Sequence, residues 1–424
     1  MKEYLSKLAK EIQDLIHKIS AVASDKGVSA YLVGGFVRDL LLGVENLDLD
    51  IVVAGDGIKF AEQLNAVLNT RLVRHHRFGT ATLISGKHNK IDVASARKEF
   101  YPAPGHLPVV SSGALRDDLF RRDFTINAMA INISEENFGE LTDYFGGRLD
   151  LSAKKIRILH ELSFIDDPTR ILRAVRFEQR YNFKIEPFSL RKIKEAAKNK
   201  MLERVDAQRI RDELLLMLKE KDPLKELKRL GTLAGFSFLL PQLRLSEKNY
   251  GLMRRVEKEI RLYSKMYPLR RSIDRWLIYF MCMIDSLPVS QAQKLCRKLA
   301  LRQGEEKRVV SYKRINKEFL RHLSRENIKP SRIFTLLEPL SYEVILLLKA
   351  KSINRTLKEH IDEFLEIYNG MRIFTSGHDL HRLGIAPGPK YKKIFSTVLG
   401  AKLDGRVKTK EEEMNLIGRL IRKK

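Results

Sequence analysis

Asp48 and Asp50 alternate with Leu49 and Ile51 in a run that closes on Val52 and Val53. On a strand, side chains two apart share a face, so both carboxylates point one way while Leu49 and Ile51 anchor the other. Paired carboxylates repel unless a cation lies between them, and hard oxygen donors suit Mg²⁺. Just upstream, the apolar Tyr31–Val33 runs into Gly34 and Gly35, then into a short helical stretch that carries Arg38 and is closed by Gly43. Glycines let backbone N–H groups approach a phosphate at the positive end of a helix. Alone, Gly-Gly reads as a turn and Asp-x-Asp as an exposed strand edge or a cap; in this order they offer a triphosphate seat and a metal seat within residues 31–53.

Three further sets of polar residues carry chemistry. Asp92 stands between Ile91 and Val93; it either points back toward Asp48 and Asp50 as a third carboxylate or only supports them. In RRDFTINAMAI, a helix starting near Asp123 would bring Asn127 one turn on, close to Arg122. A cation, a carboxylate and an amide so placed can hold a triphosphate and read ribose hydroxyls. The plainer reading is a cap, with Asp123 on free N–H groups and Arg122 paired to Asp118. Asp167 precedes Pro168 at a predicted helix start, with Arg170 three residues on. Asp167 is either an N-cap onto the Arg170 N–H or half of a base reader, and the two roles are compatible. Cytosine and adenine both present an amino donor beside a ring-nitrogen acceptor, which a carboxylate next to a guanidinium complements. Uracil and guanine reverse that pattern. Arg209 and Glu213, at i and i+4 of a helix predicted over 203–218, read alone as an ordinary surface pair.

The elements that must position these groups are short. Leu5, Leu8, Ile12, Leu15, Ile16 and Ile19 predict an amphipathic N-terminal helix, residues 57–68 a second helix, and 71–73, 81–84 and 90–94 short strands. Residues 97–119 have no period of their own, as in a long functional loop. After the turn-rich 143–151, helical patterning dominates, and Trp276, Cys282 and Cys296 read as core. The 424 residues exceed one ordinary core. No apolar run approaches the roughly 18–20 residues that would span a bilayer. Two cysteines without metal-ligand spacing fit a reducing cytoplasm. The net charge of +26 is uneven: residues 1–150 hold 18 Lys+Arg against 20 Asp+Glu, so all of the positive excess lies behind them. A basic rear fits a long anionic partner.

Taken in order, Gly34-Gly35…Arg38…Asp48-Leu49-Asp50, then Arg121-Arg122-Asp123-Phe124…Asn127, then Asp166-Asp167…Arg170…Arg173…Arg176-Phe177 resemble the class II tRNA nucleotidyltransferase/bacterial poly(A) polymerase family. The resemblance covers roughly residues 28–218, and the tail segment GIAPGP is also similar. It implies an α+β fold: a polymerase β-like nucleotidyltransferase head with a mixed sheet and helices (1–150), then an all-α neck (151–220), body (221–368) and tail (369–424). It further implies that Asp48 and Asp50 bind two catalytic Mg²⁺ ions. Gly34, Gly35 and Arg38 would hold the triphosphate, and Arg122, Asp123 and Asn127 the triphosphate and ribose. Asp167 and Arg170 would read the base, with Arg209 in support.

The implied reaction adds CMP or AMP, from CTP or ATP, to a tRNA 3′ end, with no protein partner or membrane evident. Members add CCA, CC or A alone. A poly(A) polymerase and a catalytically silent RNA-binding protein are the rivals. RHHRFGTATLI lacks the basic, aromatic signature expected of the former, and the long loop before Arg121 argues against a CC-only enzyme. Asp166 stands where the family usually has Glu, one methylene shorter.

Overall fold

A computed structural model describes residues 1–45, 48–85, 89–270 and 272–422. The chain folds as two compact units, Met1–Pro241 and Gln242–Lys424.

The first unit opens with helices α1 (Lys2–Leu5) and α2 (Lys10–Asp25), the latter burying Ile12, Ile16 and Ile19. Then come β1 (Ala30–Val33), α3 (Gly35–Leu42), β2 (Leu49–Val53), α4 (Gly57–Leu68), β3 (Arg71–His75), β4 (Thr80–Ser85) and β5 (Asn89–Ser95). After β6 (Arg97–Phe100), β7 (Val109–Ser112) and α5 (Leu115–Phe120), the sheet is completed by β8 (Ala130–Asn132) and β9 (Leu141–Thr142). Its strand order is β3-β4-β5-β2-β1-β8-β9. β2 and β5 run parallel, with Asp50 opposite Asp92. β2 is apolar on its inner positions because helices and neighbouring strands cover it: Leu49, Ile51, Val52 and Val53 are all buried, and Asp50 alone is half-exposed.

Glycines and caps set the connections. The Asp56 carboxylate accepts from the Ile58 and Lys59 N–H groups and starts α4. Gly57 lies so close to β5 that a Cβ there would sit 2.5 Å from the Ser95 nitrogen. Residues 97–119 are not an irregular loop: β6 and β7 form an antiparallel ribbon, Phe100 opposite Val109, that leads into α5.

Beyond β9 the chain forms α6 (Gly147–Ser152), β10 (Lys155–Ile156), α7 (Ser163–Asp166), α8 (Thr169–Arg180), β11 (Lys184–Ile185), α9 (Pro187–Lys198), α10 (Ala207–Lys219) and α11 (Pro223–Leu233). The stretch expected to be all-α thus contains one short parallel ladder, β10 with β11. The helix expected over 203–218 is split, a 3₁₀ turn at Met201–Arg204 preceding α10, which Asp206 caps.

The second unit is helical, from Glu247–Met266 to Lys410–Arg422. Trp276, Cys282 and Cys296 are buried in it, both cysteines as free thiols. Among the described residues, no helix is long and apolar enough to cross a membrane.

Candidate active site

The sharp turn between β1 and α3 is where the site begins. Gly34 has φ 67°, a conformation open to glycine and strained for other residues. A Cβ there would lie 2.6 Å from Arg122 Nη1 and 3.5 Å from Asp50 Oδ2. The glycine turn, the β2 carboxylate and the arginine of the RRD motif therefore meet at one point.

Asp48 lies one residue before β2 and is exposed, so the strand carries Asp50 alone. The two carboxylates still act on one another. Burial pushes the Asp50 carboxyl up to about 6, with Asp92 and Asp48 adding in the same direction and Arg122 and Lys90 opposing. Crowded carboxylates of this kind are relieved by a divalent cation, and an all-oxygen donor set fits a hard one. Asp92 is differently engaged: it accepts from Thr82 Oγ1 (2.6 Å) and from Lys90 Nζ. Among the described residues, no three Asp, Glu, His or Cys side chains gather as a metal cluster.

On the cavity's other side, residues 125–127 form a 3₁₀ turn and not an α-helix, yet Asn127 still meets Asp123, its Nδ2 donating to Oδ1 at 2.8 Å. The Asn127 side-chain Oδ1 accepts from Arg38 Nη1 (2.6 Å). Arg38 also donates to both Asp39 oxygens and packs over Phe177 and Tyr181, at 5.1 and 4.9 Å to the ring centroids. Asp123 also accepts from the Phe124 N–H and pairs with Arg173 at 2.7 Å. Burial would raise its carboxyl, but Arg173 and the Asn127 bond outweigh it and hold it at about 2. Arg122 pairs with the fully buried Asp118 (2.8 Å), as the capping reading expected, and its buried Nε has no partner.

Asp167 and Arg170 line the same cavity but are not paired. Asp167 Oδ1 accepts from the Thr169 N–H and hydroxyl, and its ion pair is with Arg209 at 2.7 Å. The main-chain carbonyl of Asp167, not its side chain, takes the Arg170 N–H. Arg170 donates to Ser163 Oγ (2.6 Å) and to the Arg121 carbonyl (2.7 Å). The expected Arg209–Glu213 surface pair is absent, because Glu213 instead takes Arg173 (3.0 Å) and Arg176 (3.2 Å).

One cavity of about 560 Å³ is lined by Gly34, Gly35, Arg38, Asp50, Arg122, Asp123, Asn127, Asp167, Arg170 and Arg209. Asp48 and Asp92 are not in its wall. The wall also contains groups not singled out from sequence, Phe78, Arg97, Glu99, Tyr101, Leu107 and Pro108, together with Arg121 and Arg173 of the quoted motifs. For Arg97, Glu99 and Tyr101 the signal was their period-two alternation, which marks one face of a strand.

Residues 30–157 match the family described as Poly A polymerase head domain, and residues 182–245 match a probable RNA and SrmB-binding site of polymerase A. The chain is 37% identical over 96% of its length to an A-adding tRNA nucleotidyltransferase of Geobacter sulfurreducens, of which it covers 47%. It is 31% identical over 94% of its length to the A-adding tRNA nucleotidyltransferase of Halalkalibacterium halodurans, covering 90% of it. Its fold is similar to that of the Thermotoga maritima CCA-adding enzyme solved with tRNA (TM-score 0.74, 32% identity, 99% of this chain and 98% of that one). The chain thus spans about half of the first relative and nearly all of the other two.

Proposed function

The chain belongs to the class II tRNA nucleotidyltransferase/poly(A) polymerase family, and from that premise we propose that it adds CMP, AMP or both, from CTP and ATP, to the 3′ end of tRNA without a template. The observation that carries the reading is the shared cavity: the glycine turn, Asp50 of β2 and the Asp167, Arg170 and Arg209 side chains line one space of nucleotide size.

In this reading Gly34, Gly35, Arg38 and Arg122 receive the triphosphate. Asn127, itself held by Asp123, keeps Arg38 in place, and both face the ribose. Asp167 offers Oδ2 to the exocyclic amino group of C or A, and Arg170 donates to the adjacent ring nitrogen. Arg209 orients Asp167 through their ion pair at 2.7 Å. Asp48 and Asp50 would hold divalent cations, Mg²⁺ by their oxygen-only donor set, and such ions supply a lowered pKa at the attacking 3′-hydroxyl and neutralisation of the departing pyrophosphate. The buried free thiols fit a cytoplasmic setting.

A second, narrower reading is addition of the terminal A alone. It is favoured by the two A-adding relatives, which match over 94–96% of this chain.

The test supplies tRNA lacking its CCA end, tRNA ending in CC, and complete tRNA, with CTP and ATP separately and together. Incorporation from CTP marks a CC- or CCA-adding enzyme, and incorporation from ATP only on the CC end marks the narrower one. Equal extension of a non-tRNA oligomer with ATP would mark a poly(A) polymerase. No Mg²⁺-dependent pyrophosphate release with any of these would overturn the assignment.

A further inference from the structure

Asp167, Arg170 and Arg209 supply donors and acceptors for the edge of a base, but a nucleobase also has two apolar faces that need cover. The apolar part of the cavity wall comes from Phe78, Tyr101, Leu107 and Pro108. Three of these flank the β6–β7 ribbon: Tyr101 follows β6, and Leu107 and Pro108 precede β7. Along β6 and the residue after it, Arg97, Glu99 and Tyr101 line the cavity, while the intervening Lys98 and Phe100 are exposed.

The Tyr101 hydroxyl is already engaged. It donates to Glu99 Oε2 at 2.9 Å. Glu99 Oε1 accepts from Arg97 Nη2 (2.9 Å) and Arg121 Nη1 (3.0 Å). The Arg121 carbonyl in turn accepts from Arg170. Burial raises the Tyr101 pKa, with Glu99 and Asp167 adding and Arg170 opposing, so the phenol stays neutral. With its oxygen turned to Glu99, Tyr101 presents a ring and no polar handle.

We propose that Tyr101 is a base-stacking residue whose ring forms one face of the slot for the incoming nucleobase, and that Glu99 is the positioning residue that fixes it and links it, through Arg121, to Arg170. The proposal rests on the nucleotidyltransferase reading above. Every base has a π face, so a stacking ring adds affinity without distinguishing C from A, or either from U and G. Affinity and choice are thereby divided: Tyr101 supplies the first, and Asp167 with Arg170 the second.

The experiment measures KM and kcat of the full chain for each nucleotide that the wild type uses, with saturating tRNA, together with the KM for tRNA and misincorporation of UTP and GTP. Tyr101→Ala and Tyr101→Leu are expected to raise the nucleotide KM about tenfold or more, the loss of one base–aromatic stack. Their tRNA KM should stay within about twofold, with UTP and GTP still rejected. Tyr101→Phe and Tyr101→Trp should remain within about threefold of wild-type nucleotide KM. Glu99→Gln should raise the nucleotide KM less than Tyr101→Ala, and its increment should vanish in the Tyr101→Ala background. Melting temperatures of all variants accompany the kinetics, and Tyr101→Leu, which retains apolar volume, carries the test if the alanine variant is unfolded. An unchanged nucleotide KM in Tyr101→Leu, or a Tyr101→Phe as impaired as Tyr101→Leu, overturns the proposal. A wild type inert with every tRNA and nucleotide would instead remove the underlying function.

Discussion

Asp50 is the side chain on which the proposed chemistry turns, because it is the one carboxylate that both lies on β2 and lines the cavity. Asp50→Ala, and equally Asp48→Ala, should abolish incorporation while leaving tRNA affinity near wild type, as gel-shift and single-turnover assays would show. Near-normal turnover in either variant would remove the acidic pair from the mechanism. Arg170→Ala should relax the choice of C and A over U and G more than it weakens tRNA binding, and unchanged nucleotide preference would count against the edge readers. Gly34→Ala combines a left-handed φ with a Cβ 2.6 Å from Arg122. Activity should fall far more than melting temperature, since the clash lies in the cavity wall. At this scale type and spacing pointed to most of the residues that the cavity brings together as a candidate site. The partners of Asp167 and Glu213 were not, because Asp167 meets Arg209 and Glu213 meets Arg173 and Arg176 across the fold, and spacing along one helix reports only same-helix neighbours.

Among the elements, α4 and α11 show how tightly the first unit is set. Gly57→Ala would drive a Cβ to 2.5 Å from the β5 backbone, and overpacking of this kind costs about 1–3 kcal/mol. Chemical denaturation should read that loss, with activity per folded molecule retained. On α11, Glu226 is 2% exposed, and its Oε2 has no partner. Burial, with Glu220 and Asp222 adding and Arg176 and Arg180 opposing, pushes its pKa up to about 9. The folded state therefore binds this proton more tightly than the unfolded chain, whose value is near 4.5. The associated stability is full below pH 4.5 and is lost as pH rises toward 9. Glu226→Gln should flatten the melting temperature across that window, and an unaltered slope would refute the assignment. The β1–α3–β2–α4 run was legible because caps, glycines and periodicity agree there. The β6–β7 ribbon was missed because its strands are four residues each and joined by a Pro- and Gly-containing connection, so turn signals masked a short alternation.

Over the whole molecule, charge and fold divide in different places. The positive excess lies wholly beyond residue 150, whereas the first compact unit runs to Pro241. Affinity for tRNA should fall steeply with salt, log K dropping by about 0.7–0.9 per log unit of salt for each phosphate contact. Asp50→Ala should keep that slope, since its carboxylate lies in the acidic-balanced first segment; a slope near zero would deny the basic rear its role. The cavity has a further consequence. Its wall begins at Gly34 and is closed by Arg209, so a nascent chain emerging from the ribosome carries the acidic pair long before it can enclose a nucleotide. Termination between Asn127 and Asp167 would release a product that carries the proposed phosphate seat and lacks Asp167, Arg170 and Arg209, so ATP should not steady it.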